Sequence, residues 1–279
     1  MKDNMMKSDL LILKEYYSNA ARQVPSDSHY MQTLNHKFRH SLEVLRQGQR
    51  ILQQTPELQD KDETFRALAQ KALLFHDIGR FEETVQYYKA EQNGIKVAAM
   101  SDKYDHGIIG YELLQNRPMY NDMRILFAIR WHGRMMDEMQ TSAMYRQIKD
   151  LPQFAEIMQI LYLVRDADKL ANLRVAKEQD HLRQDPFYRS LPANILNAPL
   201  TEAVKAQFFA KKVILSSTLT SFADRILQVI SWIYDFNYQA TVEVFRQQKY
   251  SEYLLEMLAQ YHHDAHDLQQ IKTKVDTCL

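Results

Sequence analysis

Ten histidines are spread along the 279 residues, and one adjacent pair carries the most chemistry: His76-Asp77, closing an apolar run that ends Leu73-Leu74-Phe75. Three more histidines, His40, His106 and His132, stand at the edges of expected helices. An acid, Asp168, lies in the apolar-flanked run Leu163-Val164-Arg165-Asp166-Ala167-Asp168-Lys169-Leu170. A buried Asp is expensive unless it is paired or binds a metal. Four imidazoles and two carboxylates would make a shell for two divalent ions. The Asp77 carboxylate could bridge two ions while His76 holds one. Adjacent side chains diverge by about 100° on a helix, so the pair must splay around such a site. From His40 to Asp168 the successive gaps are 36, 30, 26 and 36 residues. Each is roughly one helix and a loop, as a site in the centre of a helical bundle requires. Taken singly, a histidine at a helix edge is more often a structural residue than a ligand.

The elements that must position these residues read as helices. Apolar residues recur at helical spacing in 9–21, from His29 to about Gln54, from Asp60-Lys61-Asp62-Glu63 on to His76-Asp77, in 105–115, in 121–131 and from Phe154 to Glu178. Pro25-Ser26-Asp27-Ser28 breaks the first helix and offers a cap for the second. Gly79 reads as a stop for the helix carrying His76. Within 81–104 the segment Glu83–Ala90 reads as helical, and Asn93-Gly94 as a turn. Pro186, Pro192 and Pro199 mark 181–200 as a loop, and three or four further helices are expected over 201–277, interrupted at Asp235-Phe236-Asn237. No alternation suggests a strand. The expected fold class is therefore all-α, in two parts: a metal-binding helical core over 1–180, and a loop plus helical extension over 181–279.

Composition narrows the function classes. Lys plus Arg and Asp plus Glu both number 35, so no global charge favours nucleic acid as a partner. No apolar run approaches the ~18 residues of a membrane span. The first ten residues lack the apolar middle of a secretory signal, and the single Cys278 fits a reducing compartment, so a cytoplasmic protein is expected. His262, His263 and His266 form a second cluster with Asp267, read as a solvated helical face. Trp232, Ile233, Phe236 and Tyr238 are expected to pack the C-terminal helices, with a homodimer contact conceivable there.

Four ordered motifs then carry a family resemblance. Arg39-His40-Ser41-Leu42-Glu43-Val44, Leu74-Phe75-His76-Asp77-Ile78-Gly79-Arg80-Phe81, Asp105-His106-Gly107-Ile108-Ile109-Gly110 and Asp166-Ala167-Asp168-Lys169-Leu170 together resemble the HD-domain superfamily of metal-dependent phosphohydrolases, over about residues 30–178. The resemblance implies an HD-type helical bundle. It also implies that His40, His76 and Asp168 hold one metal, that His106 and His132 hold another, as in the six-ligand branch, and that Asp77 bridges. Asp166 is the alternative to Asp168, and His36, one turn earlier, the alternative to His40. The metals could be Fe, Mn, Ni, Co, Zn or Mg.

The implied activity is hydrolysis of a small phosphomonoester or nucleotide by a metal-bound hydroxide, with Asp77 and Arg80 catalytic. Arg80, Arg130, Arg134 and Lys169 are expected to clamp substrate oxygens, and 81–104, 133–150 and 181–200 to wall the pocket. The Gly-Tyr-Pro element of the cyclic-dinucleotide phosphodiesterases is missing, since Trp131-His132 runs on into Gly133-Arg134-Met135. A di-iron oxygenase cleaving a C–C or C–P bond, similar in its ligand set, is the second reading. A non-catalytic nucleotide- or metal-binding module is the third.

Overall fold

Small polar residues set the helix starts. Ser28 Oγ accepts from Met31 N, Asp62 from Phe65 N, Asp105 from Gly107 N and Asp122 from Arg124 N, each satisfying a backbone N–H that has no partner within its helix. The computed structural model describes residues 2–95, 105–179, 182 and 192–279. Among these there is no strand, and the all-α reading holds. The chain falls into two compact units, Met1–Asp168 and Lys169–Leu279.

The first unit contains α1 (Lys2–Ala21), α2 (His29–Gln54), a short α3 (Pro56–Gln59), α4 (Glu63–Phe75), α5 (Gly79–Gln92), α6 (His106–Gln115), α7 (Met123–Trp131), the short α8 (Met136–Thr141) and α9 (Ala143–Ile148), and the start of α10 (Phe154–Gln179). The division between units falls inside α10, ahead of the loop at 181 where the sequence suggested it. Helix α2 packs on α1, α4 and α5; α4 packs on α7; α6 packs on α5 and α7. Leu34, Val44, Ile51, Phe65, Leu73, Phe75, Ile125, Phe127 and Ile129 are fully buried or nearly so. Each such side chain is worth about 1.5–3 kcal/mol of transfer free energy. Several lie within one turn of His76 or His132, so the apolar core also fixes where these imidazoles emerge.

The sequence placed a helix stop at Gly79, and the structure corrects this. Helix α4 ends at Phe75; His76 to Ile78 form a tight turn, with Ile78 N donating to Phe75 O and Arg80 N to Asp77 O; and Gly79 opens α5. A Cβ on Gly79 would sit 2.0 Å from His106 O and 2.7 Å from Gly110 N. The glycine is there to let α6 approach, not to end a helix.

The second unit begins with the rest of α10 and continues through α11 (Ala193–Leu196), α12 (Glu202–Phe209), α13 (Phe222–Ile230), α14 (Gln239–Gln247), α15 (Tyr250–Leu258) and α16 (Ala265–Asp276). Its core is Phe208, Phe222, Ile226, Ile230, Phe245, Leu254, Leu258 and Ile271. Asp224 is fully buried and accepts hydrogen bonds from the backbone N–H and hydroxyl of both Thr201 and Thr220. The histidine cluster needs correction as well. His262 precedes the cap of α16 and so does not share a helical face with His266. It is buried, accepts from Leu200 N at Nδ1 (3.3 Å), and meets the Asp267 carboxylate at Nε2 (3.0 Å). It is a structural histidine. His266 is exposed, beside Gln270.

Candidate metal centre

Six side chains leave five different stretches of the first unit. His40 comes from the middle of α2, His76 and Asp77 from the turn after α4, His106 from the first residue of α6, His132 from the residue capping α7, and Asp168 from α10. The turn solves the geometric problem of the adjacent pair. Off the regular helix, His76 Nε2 and Asp77 Oδ2 come within 3.7 Å of each other.

The donors fall into two groups about the Asp77 carboxylate. His40 Nε2 lies 2.8 Å from Asp168 Oδ1 and 4.0 Å from Asp77 Oδ2, and His76 Nε2 lies 3.8 Å from Asp168 Oδ1. On the other side His132 Nε2 lies 3.4 Å and His106 Nε2 3.5 Å from Asp77 Oδ1, and these two nitrogens are 3.4 Å apart. One carboxylate oxygen thus faces each group. His40, His76 and Asp168 offer ligand atoms all within 4.8 Å of one another, as do His76, Asp77 and His132. Asp168, and not Asp166, is the acid that meets His40 and His76. Asp166 is fully buried two residues earlier. The His36 ring stacks on His40 at 6.1 Å between centroids.

The residues fit divalent ions. His76 Nδ1 bonds Leu73 O and His132 Nδ1 bonds Ile129 O, both at 2.9 Å. A carbonyl accepts only, so each Nδ1 carries the proton and each Nε2 presents its lone pair, the usual orientation of a metal-ligating imidazole. His76 Nε2 is buried and makes no hydrogen bond among the described residues, a cost that an ion would remove. Burial lowers the His76 pKa to about 4, against the pull of Asp77 and Asp168. Burial, with the Arg80 charge, holds His106 well below its ordinary value. Burial alone would raise Asp77; Lys37, His76, the His132 hydrogen bond and Arg80 outweigh it, and the carboxyl lies well below the usual range. Asp168 is likewise lowered, because the His40 contact overcomes burial. Neutral imidazoles beside ionised carboxylates are the protonation states metal binding needs.

Cations and acids surround these donors. Lys37 Nζ is 2.9 Å from Asp77 Oδ2, a contact with no sign in the sequence, since a lysine one turn before a histidine is unremarkable in a helix. Arg80 reaches Glu83 at 2.7 Å and Asp77 Oδ1 at 3.6 Å. Glu83 is also buried, and burial raises its pKa against the opposing pull of Arg80. Of the other expected substrate contacts, Arg130 and Arg134 direct their guanidinium groups to Asp105, and Lys169 bonds Asp235 at 2.7 Å within the second unit. Of the expected pocket walls, 96–104, 181 and 183–191 lie outside the described residues.

The fold and the site together define a helical protein with a buried His/Asp cluster suited to divalent metals. Residues 38–173 match the family model described as the HD domain, so this segment is an HD domain and belongs to that superfamily, which is of the metal-dependent phosphohydrolase type. Searches of curated proteins and of solved structures each found no match. No helix among the described residues is long and apolar enough to cross a membrane.

Proposed function

We propose that this protein is a two-metal phosphohydrolase acting on a small phosphomonoester or nucleotide. His40, His76, Asp168 and Asp77 Oδ2 would hold one ion, and His106, His132 and Asp77 Oδ1 the other. The reading is carried by one observation: the two Asp77 oxygens face two separate sets of imidazole nitrogens. Bound divalent ions supply Lewis acidity toward phosphoryl oxygens and acidify water near neutral pH.

The chain's own residues do the rest. Two charges of −1 from Asp77 and Asp168 against two of +2 leave the centre about +2, which favours an anionic guest. Lys37 and Arg80 add cations beside Asp77. Arg80 stays charged at any working pH, because Asp77 and Glu83 raise its pKa over the opposing effect of burial, and its planar fork suits phosphoryl oxygens. We assign it to substrate orientation. Lys37 serves as a second phosphate contact.

The test is metal analysis of anaerobically purified protein, followed by a phosphatase screen with Mn, Mg, Ni, Co, Zn and Fe in water enriched in heavy oxygen. The expected result is phosphate release with one solvent oxygen in the phosphate. Label in the alcohol product, or oxygen uptake with iron and no phosphate release, would contradict the reading; the latter is the oxygenase outcome.

A further inference from the structure

We propose that Asp105 is a positioning residue which, with Arg130, Arg134 and Arg165, holds the His106–His132 half of the centre in place, so that the second ion binds tightly only while this carboxylate is intact. The inference rests on the two-ion reading above and adds to it the residue on which one of the ions depends.

His106 and His132 sit at helix termini, the places where helices fray. The His132 ring is anchored by its Nδ1 bond to Ile129 O. Among the described residues the His106 ring has no such anchor: its Nδ1 stands 4.0 Å from the nearest Glu83 oxygen. Its place therefore depends on the backbone at the start of α6. Asp105 governs that backbone. Its Oδ1 accepts from Gly107 N at 2.8 Å and Ile108 N at 3.3 Å, capping α6. Its Oδ2 accepts from Arg130 Nη1 at 3.2 Å, and from Arg134 Nη2 at 2.6 Å and Nε at 3.1 Å. One carboxylate thus ties the residue before His106 to the residues on both sides of His132.

Two independent features point the same way. A Cβ on Gly107 would lie 2.6 Å from Arg130 O, so the start of α6 is pressed against the end of α7 as closely as backbone allows. From α10, Arg165 Nη1 donates to the carbonyls of His132 and Arg134 at 2.9 and 2.6 Å, fixing the chain after His132 from its other side. The Arg130 guanidinium lies 4.3 Å over the Trp131 ring. Arg130 and Arg134 are therefore directed to the frame of the site and not into it. None of these contacts touches His40, His76 or Asp168, so the two halves of the centre should respond differently to loss of Asp105.

The experiment titrates Co(II) into the metal-free, full-length protein without oxygen, following the visible spectrum and the heat, for the wild type, Asp105→Asn and Arg134→Met. The wild type should take two ions. Asp105→Asn should keep the first with unchanged affinity and bind the second about 10–100-fold more weakly, as loss of an outer partner does elsewhere. Arg134→Met, at a half-exposed site that folding should tolerate, should weaken the second ion by a smaller factor. It provides the reading if Asp105→Asn does not fold. A wild type that takes fewer than two ions overturns the two-ion reading, and this proposal with it. A wild type with two ions and variants with two at unchanged affinity overturns the proposal alone. So does equal weakening of both ions, which would mark Asp105 as a general structural brace.

Discussion

At the scale of single residues, the centre is a contest between desolvation and charge. Burial acts on all of its ionisable groups, yet the acids stay ionised and His76 stays neutral, because neighbours of opposite charge rescue the acids while burial wins at the imidazole. This has a consequence for stability. In the metal-free protein the unfolded chain protonates this imidazole from about pH 6.5 downward, whereas the folded chain does so only near 4. The contribution of His76 is thus complete above about pH 6.5 and is lost as the pH falls to about 4, on the order of 3 kcal/mol in all. Urea denaturation of metal-free protein across that window should show the loss, and His76→Gln should flatten the slope. Asp77→Asn should reduce metal content by more than any other single change, because the amide is uncharged and keeps only one of the two oxygens, so one group of imidazoles loses its facing donor; elemental analysis reads this directly. Arg80→Ala should lower turnover by about 100-fold, the order seen when an oriented transition-state donor is removed, with metal content intact. Loss of metal in that variant would make Arg80 a brace for Asp77.

At the scale of elements, the helices of the first half were largely legible. Apolar spacing and polar caps located α2, α4, α6, α7 and α10 closely, because each buries one stripe against a common core. The turn at His76-Asp77 was not legible. Gly79 reads locally as a helix stop, and what makes it a helix start is the backbone of His106, 27 residues away in sequence (106 − 79) and in direct contact in space. Gly79→Ala should therefore push α6 off α5. The expected cost is about 1–3 kcal/mol of overpacking or more, read by thermal unfolding, together with weakened binding at His106. The burial of His262 escaped the sequence for a similar reason: its partner Leu200 N lies 62 residues away.

At the scale of the whole molecule, all six proposed ligands lie within Met1–Asp168, the last of them at its final residue. A metal that binds the folded state and not the unfolded stabilises what it binds, by about 2.7 kcal/mol at a hundredfold excess over Kd. Hydrogen exchange with and without metal should show added protection concentrated in α2, α4–α7 and the first half of α10, with the region of Asp224 little changed. In Lys169–Leu279 the corresponding weak point is Asp224 itself. Its removal leaves the donors of Thr201 and Thr220 without their acceptor, and Asp224→Ala should destabilise by about 3 kcal/mol, measurable by chemical denaturation.

Residue type and order along the chain, together with the resemblance of the flanking motifs to a known family, were enough to mark His40, His76-Asp77, His106, His132 and Asp168 as a set, because a buried cluster of imidazoles and carboxylates has few physical uses and helical spacing can be read locally. Sequence could not decide which oxygen of Asp77 faces which imidazoles, that Lys37 leans on that carboxylate, or that Arg130 and Arg134 turn to Asp105 instead of toward a substrate. Those outcomes depend on distances between helices far apart in the chain, and such distances are set by side-chain packing and close backbone approach, which leave no periodic trace in the order of the residues.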